Sequence, residues 1–159
     1  MLTPLHRRDF LAQATAASAA VAATASLSAS ARASALDRLP KSPTDTRTLG
    51  KTGIQVSLMG MGTGSVGVGQ ASNQTRLGVK EFTRVVRHAL DRGIRLFDVA
   101  DQYGSHTYLR EALKGVPRDQ YVIQTKTHST DFANCRSHLE RYRMELGVDM
   151  IDIVLLHCM

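Results

Sequence analysis

Cysteine is scarce and tryptophan is absent: two cysteines and no tryptophan occur in 159 residues. Two thiols close one bridge at most, so a disulfide scaffold is excluded. Runs of like charge are missing as well. The 20 Lys and Arg residues are interleaved with 14 Asp and Glu, and the net charge of +6 is a modest surplus. That scatter excludes a basic nucleic-acid-binding tail, and no nucleic acid is expected as a partner. Nor is there a strongly apolar stretch of membrane-spanning length. The least charged segment, residues 10–31, is mostly Ala, Ser and Thr. A span needs roughly 20 predominantly apolar residues, so no stable membrane span is expected. The length allows one domain, and regular apolar patterning over residues 49–159 excludes disorder of the body.

What is present is unevenly distributed. Residues 1–35 hold 13 alanines and four charged residues, Arg7, Arg8, Asp9 and Arg32. A positively charged start, a weakly apolar middle and the small-residue triplet Ala33-Ser34-Ala35 define a secretory signal. The segment His6-Arg7-Arg8-Asp9-Phe10-Leu11 resembles the twin-arginine (Tat) signal. Residues 1–35 are therefore expected to be a signal peptide, residues 36–47 a linker containing Pro40 and Pro43, and residues 48–159 the folded part. The implied destination is the periplasm or the exterior, with the Tat export machinery as a partner. That route moves proteins already folded, so it suits a chain that captures a cofactor in the cytoplasm.

The folded part alternates short apolar runs with amphipathic helices. Thr48 to Ile54 reads as a hairpin turning at Lys51-Thr52-Gly53, and Ile54 to Gly60 as a strand. Phe82, Val85, Val86, Ala89 and Leu90 fall on one helical face that Gly93 closes. Ile94–Ala100 is the next strand. Tyr108, Leu109, Ala112 and Leu113 form a second helical stripe ended by Gly115 and Pro117. A strand at Tyr121–Thr125 precedes a third helix spanning Phe132 to Leu146, with Asp131 as its cap and Gly147 as its end. Met150–Leu156 is the fourth strand. Strands apolar on both faces and separated by crossover helices predict an α/β fold with a parallel sheet covered by helices.

Four polar residues sit at or beyond the carboxyl ends of these strands, where such sheets place their ligands. Asp98 lies between Phe97 and Val99, Tyr103 five residues on, Lys126 after Val122-Ile123-Gln124-Thr125, and His157 after Ile153-Val154-Leu155-Leu156. An Asp and a Lys embedded in apolar strands must pair to offset desolvation. Gly62-Thr63-Gly64-Ser65-Val66-Gly67 fits a G-x-G-x-x-G dinucleotide loop, although a Rossmann site requires a helix opening at the third glycine. The same glycines suit a mobile loop over a barrel mouth. His88, His106, His128 and His138 lack metal-ligand spacing, so no metal site is expected.

The run Gly93-Ile94-Arg95-Leu96-Phe97-Asp98-Val99-Ala100-Asp101-Gln102-Tyr103-Gly104 resembles the signature of the aldo/keto reductases, NADP-dependent (β/α)8 barrels. Lys126 in Gln124-Thr125-Lys126-Thr127, His157 after Asp152-Ile153-Val154-Leu155-Leu156, and the opening Leu49-Gly50-Lys51-Thr52-Gly53 with Met59–Gly64 extend the likeness from Thr48 onward. The resemblance implies reduction of an aldehyde or ketone to an alcohol, with a small carbonyl compound as substrate and NADP, or alternatively NAD, as cofactor. It casts Tyr103 as proton donor, Lys126 as the cation that lowers its pKa, Asp98 as the group holding Lys126, and His157 as the residue that orients the carbonyl. Gly62, Thr63, Gly64 and Asp98 are the candidate cofactor contacts. Val99 and His106 depart from the signature, which has Ser or Thr and Glu there. The expected fold is the amino-terminal half of a (β/α)8 TIM barrel after an amino-terminal hairpin: four parallel strands and three helices in a truncated or fragmentary chain. The alternative is a non-catalytic half-barrel remnant or binding module.

Overall fold

A computed structural model describes residues 41–157. The expected signal peptide, residues 36–40 of the linker, Cys158 and Met159 lie outside the described residues. Strand β1 (Thr46–Thr48) pairs antiparallel with β2 (Gln55–Ser57). The turn falls at the predicted Lys51-Thr52-Gly53: the Thr52 hydroxyl donates to Leu49 O at 2.6 Å, and Gly53 takes φ of +80°, which a side chain disfavours.

The predicted strand Ile54–Gly60 is in fact two short strands in different sheets. β2 ends at Ser57, and β3 (Gly60–Gly62) joins the parallel sheet. The divide has a local cause. The buried Ser57 hydroxyl donates to Met59 O at 2.6 Å and accepts from Arg95 N at 2.9 Å, pinning a corner at Leu58-Met59. A run of apolar letters does not reveal a corner made by one serine hydroxyl.

The main sheet has the order β3, β4 (Leu96–Asp98), β5 (Val122–Thr127), β6 (Ile153–Leu156), all parallel. Three helices connect them: α1 (Gly78–Asp91), α2 (His106–Leu113) and α3 (Phe132–Leu146). Asp131 caps α3, accepting from Asn134 N at 2.9 Å, and Gly147 ends it in the left-handed conformation. Gly115, with φ of +80°, follows α2.

Alternation along each strand decides what faces the helices. Phe97, Val99 and Ile123 point to one side and bury against Phe82 and Val86 of α1, Leu109, Ala112 and Leu113 of α2, and Leu146 of α3. Burying each such aromatic or aliphatic side chain contributes about 1.5–3 kcal/mol. Among the described residues the helices cover one face of the sheet: the intervening residues Gly62, Asp98, Gln124 and Lys126 lie on the opposite side, only partly buried or exposed. Asp152, the polar residue preceding β6, accepts from Arg118 and from Ile123 N. No helix among the described residues is long and apolar enough to cross a membrane.

Candidate active site

Parallel register brings the first two site residues together. Asp98 ends β4 opposite Gln124, and Lys126 stands two residues further along the same face of β5. Lys126 Nζ donates to Asp98 Oδ1 at 2.6 Å and to the Val99 carbonyl at 3.2 Å. Gln124 Nε2 donates to the same carboxylate oxygen at 2.7 Å. The pair is partly buried, which is tolerable because Asp98 takes two donors and the ammonium finds a carbonyl besides. Gln124 was not among the sequence candidates. The signal for it was its i, i+2 spacing from Lys126, which puts both on one face of a strand.

Tyr103 closes a single 3-10 turn, Asp101–Tyr103, directly after β4. Its hydroxyl meets His157 Nε2 at 3.3 Å, and the two rings stand edge to face with centroids 5.6 Å apart. The Lys126 ammonium lies 4.9 Å from the Tyr103 ring centroid. His157 follows β6, its backbone N–H donating to Thr127 O at 2.8 Å, and its ring also packs edge to face on His128 at 4.4 Å. Burial, with the nearby His128 and Lys126 charges, holds His157 below the ordinary histidine value, against the opposing pull of Asp98. Among the described residues its Nδ1 is buried without a hydrogen-bond partner. All four predicted catalytic side chains therefore converge.

The candidate cofactor contacts divide. Gly62 pairs with Asp98 in the sheet, and a side chain there would meet nothing within 4 Å. That leaves open space beside the Asp98 carboxylate. Thr63 has another role: it is fully buried, and its hydroxyl is hydrogen-bonded to the Asp98 carbonyl oxygen at 2.9 Å and to Ser105 Oγ at 2.8 Å. Gly64 is covered by Tyr103. A Cβ at Gly64 or at Gly67 would overlap the phenol ring, so the glycine-rich segment packs on Tyr103 itself instead of standing free over a barrel mouth. The Rossmann alternative fails for the reason anticipated, since the next α-helix opens only at Gly78.

Sequence spacing also missed a grouping behind the sheet, where Asp101, His106 and Glu145 offer ligand atoms within 4.8 Å of one another. The cation among them is Arg141, which donates to both carboxylates.

A parallel sheet of βα units with an Asp, Lys, Tyr and His gathered at its carboxyl end defines a class: α/β folds that carry a polar site at the strand ends. The sequence profile of the Aldo/keto reductase family matches residues 58–159, and the chain belongs to that family. It is 35% identical over 100 residues to an aldo-keto reductase of Mycolicibacterium smegmatis, covering 58% of this chain and 32% of that one. It is 32% identical over 125 residues to the L-galactose dehydrogenase of Arabidopsis thaliana, covering 72% and 37%. A solved Pseudomonas aeruginosa structure assigned to the aldo-keto reductases superposes with a TM-score of 0.59 at 31% identity, covering 70% of this chain and 46% of that one. The chain thus spans about a third of the length of these curated relatives.

Proposed function

We propose that the chain carries the proton-transfer half of an NADP-dependent reduction of an aldehyde or ketone to an alcohol. The observation that supports this best is the Tyr103–His157 contact at 3.3 Å with the Lys126–Asp98 ion pair beside it. A carbonyl oxygen placed between the phenol and the imidazole accepts from both. Tyr103 delivers the proton, and His157, kept neutral, orients the oxygen by hydrogen bonding. Asp98 fixes the Lys126 ammonium 4.9 Å from the phenol ring centroid, so positive charge stands beside the proton donor. When bound, the reduced nicotinamide supplies the hydride. Gly62 and Asp98 are the residues present that would hold it.

The test is NADPH oxidation by the purified chain with a small aldehyde. Activity in the wild type and a drop of roughly 10²–10⁴-fold in Tyr103→Phe is the expected result. A folded chain that neither binds nor oxidises NADPH favours the non-catalytic reading. Export through the twin-arginine route to the periplasm is part of the same proposal, with cofactor captured before export. Replacing Arg7 and Arg8 together by Lys should leave the chain in the cytoplasmic fraction. Unaltered export of that variant would count against the route.

A further inference from the structure

We propose that Arg141 is a positioning residue for Tyr103, holding its turn from the helix side of the sheet through Asp101. Arg141 grips Asp101 with both ends of its fork, Nη1 to Oδ1 at 2.9 Å and Nη2 to Oδ2 at 2.8 Å. Asp101 opens the single 3-10 turn that Tyr103 closes, so a clamp on that carboxylate fixes the backbone carrying the phenol. The clamp continues. Nη1 also donates to Glu145 Oε1 at 2.7 Å, and Glu145 Oε2 lies 2.7 Å from His106 Nδ1. His106 is buried, and its Nε2 meets the Thr125 hydroxyl at 2.8 Å.

The two ends of this chain of bonds are what give it a role. One is the Tyr103 turn; the other is Thr125, the residue before Lys126 on β5. Side chains on alternate sides of one strand share a backbone, so the hidden network ties the phenol-bearing turn to the ammonium-bearing strand without touching either group. Glu145 and Arg141 sit one turn apart on α3, which serves as the rigid bar between the ends. The charges agree with this arrangement. Arg141 holds Asp101 below the ordinary carboxylate value, and burial keeps His106 below the ordinary histidine value despite Glu145. A neutral His106 donating from Nδ1 to Glu145 and accepting at Nε2 from Thr125 satisfies every atom.

The side chains of Arg141 and Asp101 are 40% and 26% exposed. A half-exposed ion pair of this kind contributes only modestly to stability. Its loss should therefore appear in catalysis and hardly in folding, and that separation is the test. The inference rests on Tyr103 acting as the proton donor, so Tyr103→Phe is measured alongside. In Arg141→Met, kcat for a small aldehyde is expected to fall about 10- to 100-fold, the scale of a misplaced reacting group. KM and the urea midpoint should stay near wild type. Arg141→Lys should recover only part of the loss, because a single ammonium cannot reproduce the fork.

The position of the phenol is also read without turnover, from the His157 ring resonances in NMR spectra, since His157 is its neighbour. Arg141→Met should shift them in the direction that Tyr103→Phe does. A wild-type kcat in Arg141→Met, with Tyr103→Phe inactive, overturns the positioning role and leaves the proposed function standing. An active Tyr103→Phe overturns both. If Arg141→Met does not fold, Asp101→Asn, which keeps the side-chain shape, takes its place, and wild-type kcat there is equally fatal. If the chain shows no turnover, unmoved His157 resonances overturn the role.

Discussion

The two faces of the four-stranded sheet differ in kind although the same strands build both. On the helix side Phe97, Val99 and Ile123 are buried among Phe82, Val86, Leu109 and Leu146. On the other side, one residue away in each case, stand Asp98, Gln124 and Lys126, linked by short hydrogen bonds and partly open to solvent. The pleat turns this into a division of labour: one register holds the fold together, and the alternate register carries charge. A slip of one residue in the β4–β5 pairing would exchange the two, burying the ion pair in apolar surroundings and exposing the core. The helix side is not wholly apolar, however. The network from Asp101 to Thr125 lies there, buried where it meets His106.

The sharpest way to test this division is to cut each face separately. Phe97→Ala should destabilise the chain by about 3–5 kcal/mol in urea unfolding, as a large cavity opens at a fully buried ring. By contrast, Tyr103→Phe should leave the unfolding midpoint within about 0.5 kcal/mol of wild type. Equal losses for the two would erase the distinction. Gly64→Ala tests the junction between the glycine-rich segment and the site. The new methyl overlaps the Tyr103 ring, so a loss of about 1–3 kcal/mol accompanied by a fall in carbonyl reduction is expected. Gly69→Ala is the control, having a positive φ of 59° but open space around it. It should cost stability without touching activity.

A smaller effect is expected at the α3 cap, where Asp131→Ala removes the bond to Asn134 N and should cost about 1 kcal/mol by thermal unfolding. The smallest effect is the pH dependence. His106 and His157 both lie below the ordinary histidine value of 6.5, the first and largest cause in each being burial. Between that value and their folded-state values the unfolded chain binds more protons, so stability is full above about pH 6.5 and declines as pH falls below it. His106→Gln should flatten part of that slope; an unchanged slope would remove His106 from the account.

How much was legible follows the distance over which each feature is decided. Helix ends at Asp131 and Gly147, the hairpin turn at Gly53 and the three helical stripes were readable because caps, turns and periodicity act within a few residues. Asp98, Tyr103, Lys126 and His157 were readable as a set because each follows or ends an apolar run, and parallel strands deliver such positions to one end of a sheet. The corner at Ser57 was not, because its hydroxyl is satisfied by Arg95 and Leu96, far along the chain. Thr63 looked like a member of a glycine-rich loop and proved to be a buried link between Asp98 and Ser105.

The amino-acid order alone therefore determined the alternation of strand and helix, the parallel sheet and the identity of the polar residues at its carboxyl end, since these depend on local periodicity and short-range chain geometry. Only the tertiary structure decided which donors Asp98 receives, that Gly64 and Gly67 must lack side chains to admit the Tyr103 ring, and that Arg141 reaches Asp101 from a helix 40 residues away in sequence. Such contacts depend on distances between elements, which no local pattern of residues encodes.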